Sequence, residues 1–179
     1  MARLRVPSAT NPASISHGAL GGLLSADDHP QYLNETRLAD LLGGELKATT
    51  VTVTAAQMKA LNATPIQLLA APGAGKALIL VGAELWLDYE SAAYAGIAAG
   101  EDLAIKYTDA SGATLATIEA TGFLDATADA FRYAYPVTTA AVTPVANAAI
   151  VLHLLTGEII TGDSTLKLRL LHREVALTW

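Results

Sequence analysis

The stretch Thr165-Leu166-Lys167-Leu168-Arg169-Leu170, continuing through Ala176, alternates Leu166, Leu168 and Leu170 with Lys167 and Arg169. Successive side chains of an extended chain point to opposite faces, so a period of two sorts leucines to one side and cations to the other. The pattern predicts a strand with one face buried. Upstream, Ala149 to Thr156 reads as a strand, and so does Phe131 to Thr138, where Phe131, Tyr133 and Tyr135 alternate against Arg132 and Ala134. Asp102 to Thr108 and Ala113 to Ala120 form a hairpin around Asp109-Ala110-Ser111-Gly112, a segment with good turn chemistry. Pro65 to Ala70 and Lys76 to Tyr89 read as a further hairpin closed by Pro72-Gly73-Ala74-Gly75. Leu46 to Thr54, rich in Thr and Val, is another strand, and Thr54 with Gln57 has the spacing of a capping box. That spacing predicts a short helix, Ala55 to Leu61, with Met58 and Leu61 inward. Ser91 to Gly100 reads as an alanine-rich loop and Gly122 to Ala130 as a turn or short helix. Many short strands separated by turns predict an all-β fold, an antiparallel β-sandwich of jelly-roll type with an extended N-terminal arm and short helices.

The 179 residues suit one domain of ordinary size, or a smaller one carrying a long arm. The 52% hydrophobic content slightly exceeds the ~45–50% usual for soluble chains, but 36 residues are alanine, which adds little core volume. The longest apolar run, Ala77 to Leu87, is broken by Gly82 and Glu84, well short of the ~18–20 residues that a bilayer span needs. Met1 to Ser16 has Arg3 and Arg5 but no apolar block, so no secretory signal is expected, and neither is a membrane partner. Without cysteine there are no disulfides and no thiolate zinc sites, so stability must come from packing or assembly. A net charge of −6, with only 11 scattered basic residues, argues against nucleic acid as a partner.

Composition shifts near residue 45, dividing the chain into an attachment or trimerisation arm, residues 1–45, and a β-sandwich domain, residues 46–179. The arm holds Pro7, Pro12 and Pro30 and shows no sustained period up to about residue 33. Asn34 then caps a short helix, Glu35 to Leu42, in which Leu38, Leu41 and Leu42 share a face before Gly43-Gly44 stops it. So short a helix falls below the ~12–15 residues needed for marginal stability in water, and it must be packed against something.

Several constellations invite a chemical reading. Ala71-Pro72-Gly73-Ala74-Gly75-Lys76 resembles a nucleotide loop, but the first glycine of a Walker motif is Ala70 here and the magnesium hydroxyl is Ala77. The segment also precedes a strand, where a phosphate site would need a helix N-terminus; the expectation is a hairpin turn with Lys76 at its exposed edge. Asp27, Asp28 and His29, with His17 upstream, offer oxygen and imidazole ligands for an ion if three chains bring them to one axis. A hydrogen-bonded turn before Pro30 is the expected role, because contiguous Asp-Asp-His cannot all face one ion from a regular element. His153 is expected to be a satisfied strand histidine, and His172 lies near the chain end. Gly-x-Ser-x-Gly and His-Glu-x-x-His are absent, and Asp125 with Asp129, or Glu101 with Asp102, read as solvated turns rather than catalytic acids. No enzymatic activity, cofactor or metal is expected. Trp86, Tyr89, Tyr94, Tyr107, Phe123, Phe131, Tyr133 and Tyr135 are expected chiefly as large fillers of a small-residue core, the alternative being tyrosines exposed at an interface or glycan surface. Trp179 is expected to pack on its own domain or a neighbouring subunit.

The segment His17-Gly18-Ala19-Leu20-Gly21-Gly22-Leu23-Leu24-Ser25-Ala26-Asp27-Asp28-His29-Pro30-Gln31-Tyr32-Leu33 resembles a motif of tailed-bacteriophage virion proteins, seen in fibres and capsid-attached appendages. The match covers roughly a tenth of the chain, and its Asp-Asp-His-Pro-Gln-Tyr-Leu core is specific; the rest of the chain is similar, more weakly, to small phage structural proteins. The resemblance implies a homotrimeric, non-enzymatic virion component, assembled in the host cytoplasm, with the motif near the attachment or trimerisation region. It implies a capsid decoration (cement) or head-fibre protein held on the major capsid protein or another virion protein; the alternative is a tail-fibre or baseplate protein that binds a host receptor. The assembly residues it points to are His17, Leu20, Leu23, Asp27, Asp28, His29, Pro30, Gln31, Tyr32, Leu33, Leu38 and Leu41. The physics of the arm agrees, because an extended segment cannot bury these leucines alone, whereas three arms together, or one lying on a shell, would cover them.

Overall fold

The structure, a computed structural model, describes residues 44–136 and 142–177, all within the second of the chain's two units, Ala39–Trp179. The helix expected over Glu35 to Leu42 and the terminal Trp179 lie outside them. The opening alternation is a twelve-residue strand whose leucines 166, 168 and 170 are buried and whose Lys167 and Arg169 are exposed. In chain order the elements are β1 (Leu46–Val53), α1 (Ala55–Lys59), β2 (Ile66–Leu69), β3 (Lys76–Asp88), β4 (Leu103–Tyr107), β5 (Thr114–Ile118), β6 (Ala130–Ala134), β7 (Ile150–Leu154) and β8 (Thr165–Ala176).

Two four-stranded antiparallel sheets result, ordered β1-β8-β3-β6 and β2-β7-β4-β5. The pairing is nested. β1 lies against β8, β2 against β7, β3 against β6 and β4 against β5, as if one long hairpin had been wound so that alternate pairs fall in opposite sheets. β8 with β3 and β7 with β4 then close each sheet. This is the jelly-roll order that the strand pattern predicted. A single core gathers Leu80, Leu85, Leu87, Leu166, Leu168 and Leu170 from the first sheet with Leu103, Ile105, Ile118, Ile150, Leu152 and Leu154 from the second.

The expected capping box is present. The Thr54 hydroxyl accepts from Gln57 N at 3.3 Å while Gln57 Oε1 accepts from Thr54 N at 2.9 Å, and Met58 and Leu61 are fully buried. The β4–β5 hairpin also stands as predicted, with Asp109 Oδ1 accepting from Ser111 N at 2.8 Å.

Two expectations are corrected. β2 and β3 are not a hairpin, for β2 pairs with β7 while both edges of β3 are taken by β8 and β6. The Pro72–Gly75 segment crosses between sheets, with Gly73 and Gly75 at φ of 101° and 72°. The same turn residues serve a tight hairpin and an inter-sheet crossing, so local sequence does not reveal the partner. β6 ends at Ala134 instead of reaching Thr138; Pro136, which has no N–H to give to a ladder, follows closely.

The long loop after β3 is tied down by Tyr94, whose buried hydroxyl donates to the Ser164 carbonyl. Gly162, at φ 112°, lets the β7–β8 loop pass against that ring, since a Cβ there would lie 2.2 Å from Tyr94 Cδ1. Asp163 completes the tie, accepting from Ser91 N, Ser91 Oγ and Ala92 N at 3.1, 2.5 and 2.9 Å.

Candidate functional site

β3 and β6 run antiparallel with Trp86 opposite Phe131 and Glu84 opposite Tyr133. On the other side of β3, Trp86 faces Lys167 and Glu84 faces Arg169 across β8. Because these partners share one parity, their side chains emerge together on the outer face of the first sheet. The aromatic residues there form a continuous row. Ring centroids are 6.3 Å apart for Trp86 and Phe131 and 4.7 Å for Phe131 and Tyr133, both edge-to-face at 77° and 78°; Tyr133 and Tyr135 lie 6.3 Å apart and nearly parallel, at 21°. Tyr135 extends the row past the end of β6, its ring beside Gly82.

These four side chains remain 45%, 37%, 59% and 69% exposed for Trp86, Phe131, Tyr133 and Tyr135. Applied to rings of roughly 150–250 Å² each, those fractions leave on the order of 400 Å² of contiguous aromatic surface, a patch within the ~300–600 Å² range of the largest apolar patch on an ordinary monomer, which is often functional, where isolated exposed apolar residues mark nothing. Next to the row the charges are paired within the face. Lys167 Nζ lies 2.8 Å from Asp88 Oδ2, and Arg169 Nη1 lies 3.5 Å from Glu84 Oε2. Arg132, on the opposite parity of β6, stands 5.3 Å from the ring of buried Phe123 and donates to the Gly122 carbonyl at 2.8 Å, so it fixes the edge strand from behind.

The expectation for the aromatic residues is therefore corrected by half. Tyr94, Tyr107 and Phe123 are core fillers, and the two tyrosines place their hydroxyls on the Ser164 and Leu78 carbonyls. Burial, with a smaller contribution from the Asp163 charge, pushes Tyr94 up to about 12, so its hydroxyl stays a donor. Trp86, Phe131, Tyr133 and Tyr135 are outside, and the inner parity of β6 is held by Ala130, Ala134 and Arg132, the last lying over buried Phe123. The available signal was Ala134 on the other parity, paired with Ala83 on the inner side of β3.

The assembly residues taken from the motif, His17, Leu20, Leu23, Asp27, Asp28, His29, Pro30, Gln31, Tyr32, Leu33, Leu38 and Leu41, all lie outside the described residues. The remaining candidates fall into structural roles. Lys76, at the end of the glycine segment, ion-pairs with Glu174 at 2.6 Å, and the hydrogen bond holds that carboxyl below the usual carboxylate range. The Gly73 amide donates to Asn147 Oδ1 at 3.0 Å. Asp125, Asp129 and Glu101 each accept a loop amide, from Gly122, Tyr89 and Ala98 at 2.6, 3.0 and 2.7 Å. His153 Nε2 donates to the Asn62 carbonyl at 3.1 Å. His172 is buried between β1 and β3, and desolvation lowers its pKa from the usual histidine value. Among the described residues there is no group of three His, Asp or Glu placed to hold a metal ion, and no helix long and apolar enough to cross a membrane. A shallow open depression of about 370 Å³ beside α1 is lined by Gln57, Ala60, Thr64, Pro65, Ile66 and Gln67, none of them ionisable.

The sequence matches no protein-family model and no curated protein. Among solved structures the chain is similar to one described as the capsid of Ralstonia phage GP4, with a TM-score of 0.42 and 13% identity over 76% of this chain and 88% of that one.

Proposed function

We propose that this chain is a non-enzymatic structural protein of a bacteriophage particle, a homotrimer that decorates and cements the capsid or forms a short head fibre. Residues 1–45 are its anchor on the major capsid protein or another virion protein. The observation that carries the reading is that the virion-type motif Asp27-Asp28-His29-Pro30-Gln31-Tyr32-Leu33 leads into a jelly roll whose interior is filled by its own side chains. A filled sandwich works through its surface. Jelly rolls serve capsid and lectin proteins alike, so the motif, not the fold, supports the virion role. Leucines in the arm that cannot bury themselves support an anchor.

A second reading, a tail-fibre or baseplate protein that binds a host receptor, is favoured by the exposed row from Trp86 to Tyr135, since lectin surfaces also present aromatic rings. Imaging the purified particle separates the two. Density for this chain on the icosahedral shell is expected, and density at the tail alone would select the second reading. Deleting residues 1–45 is expected to abolish attachment and leave a soluble sandwich; normal attachment of the truncated chain would remove the arm as anchor.

A further inference from the structure

We infer that the outer face of the β1-β8-β3-β6 sheet, centred on Trp86, Phe131, Tyr133 and Tyr135, is the surface on which a second copy of this chain packs. The inference deepens the oligomeric part of the reading above and rests on it. Four independent features of the face point to this occupant.

The first is area. The row supplies on the order of 400 Å² of aromatic surface, about half of the ~800 Å² that each partner contributes to a standard interface. Thr50, Thr52 and the stems of Lys167 and Arg169 flank it on the same face and supply the rest. Trp, Tyr and Arg are the residue types that dominate interface energetics, and here they adjoin one another.

The second is charge. The chain carries a net −6, so copies repel one another at long range. Beside the aromatic row this face is an exception, because Lys167 is closed on Asp88 and Arg169 on Glu84. Two like-charged copies meet at less cost where the charges are already paired within the face.

The third is the edge. β6 is one of the two edge strands of its sheet, β1 being the other, and an edge position invites pairing with another chain. β6 is only five residues long, and Pro136 follows it directly after Tyr135. The β6 edge beside the row is thus blunted while the face stays apolar, which favours association through the face over strand addition at β6.

The fourth is ring geometry. A sugar stacks on a flat ring face, whereas Trp86, Phe131 and Tyr133 meet edge-to-face at 77° and 78°, with Tyr133 and Tyr135 nearly parallel at 21°. Such a ridged surface fits interdigitating side chains better than a pyranose plane.

The test uses the full chain in sedimentation velocity over a dilution series, comparing wild type with Tyr133→Ser/Tyr135→Ser and with Ile160→Ser. Both tyrosines are exposed, so their loss leaves the fold intact, which circular dichroism verifies. Ile160 is an equally exposed apolar residue outside the sheet and controls for general loss of hydrophobicity. Wild type and Ile160→Ser are expected to associate alike, and the double variant to dissociate with a constant raised roughly thirtyfold or more. A wild type that stays monomeric, or a double variant that associates like wild type, overturns the inference. Unchanged association combined with lost retention on a lipopolysaccharide-coated resin also overturns it, in favour of a saccharide ligand. Incorporation of the full chain into particles is scored separately. Its failure removes the virion role whatever the association result, whereas an unaltered double variant in a chain that is incorporated removes only this interface.

Discussion

Neighbouring residues of β8 should differ sharply in what they contribute. Leu168 is fully buried, paired across the sheet with Val51 on β1 and Leu85 on β3. Leu168→Ala removes three carbons' worth of burial, and at ~0.8 kcal/mol per methylene plus the cavity left behind the expected loss is about 3–4 kcal/mol. Arg169, one residue on, keeps 57% of its side chain exposed and touches Glu84 only at 3.5 Å. An exposed pair of that kind contributes ~0–1 kcal/mol, so Arg169→Ala should be almost silent. With an unfolding entropy of ~2.1 cal/mol/K per residue, the first substitution lowers Tm by about 9 °C and the second by less than about 3 °C. Thermal unfolding followed by circular dichroism measures both, at one fixed protein concentration because assembly makes Tm concentration-dependent. Two variants whose stabilities agree within ~0.5 kcal/mol would refute the reasoning. The period of two would then not have sorted β8 into a core face and a solvent face.

Gly162→Ala should cost about 2–4 kcal/mol in a denaturant titration, because φ is 112° and the new Cβ would meet Tyr94 Cδ1 at 2.2 Å and Tyr94 Cα at 2.8 Å; an unshifted midpoint would show that this loop is not held against Tyr94. Thr54→Ala removes the capping box of α1 and is expected to lower stability by ~1 kcal/mol, with Thr54→Ser close to wild type; equal losses in the two would rule out the cap as cause. Acid should destabilise the domain in two stages. Burial lowers the His172 pKa in the fold, so the unfolded chain takes up that proton first: the stabilisation is complete above 6.5 and is lost as pH falls from there to the folded value. Glu174 is depressed by its bond to Lys76, so its contribution is complete above 4.5 and fades as pH falls through its folded value. Urea midpoints against pH should show both stages in wild type and lack the upper one in His172→Gln; an upper stage that persists in that variant would clear His172.

Much of the fold was legible because its signals are local. The alternation in β8, the capping box at Thr54 and Gln57, and the Asp109–Gly112 turn each depend on residues within a few positions of one another, and each reappears in the structure. The partner of a strand is a different kind of fact. Pro72–Gly75 reverses the chain in a hairpin and in a crossing between sheets alike, and only the nested order of all eight strands shows that β2 and β3 part there. The motif that carries the virion resemblance was legible at once, but its residues lie outside those the structure describes.

The aromatic row was not legible for a reason that bears on function. Phe131, Tyr133 and Tyr135 alternate with Arg132 and Ala134, and parity alone would send the rings inward and the arginine out. Which parity faces the core depends on volume elsewhere. The inner side of β6 is already occupied, by Arg132 over the ring of buried Phe123 and by Ala134 buried against Ala83. Close packing forbids overfilling at a cost of ~1–3 kcal/mol for even modest excess, so the rings are displaced to the outer face. Exposed aromatic surface is a poor choice for a chain that works alone, since it promotes association. A sequence that fills its core with leucine and alanine and then adds a row of aromatic residues outside leaves an apolar surface of the kind that contact between chains would cover.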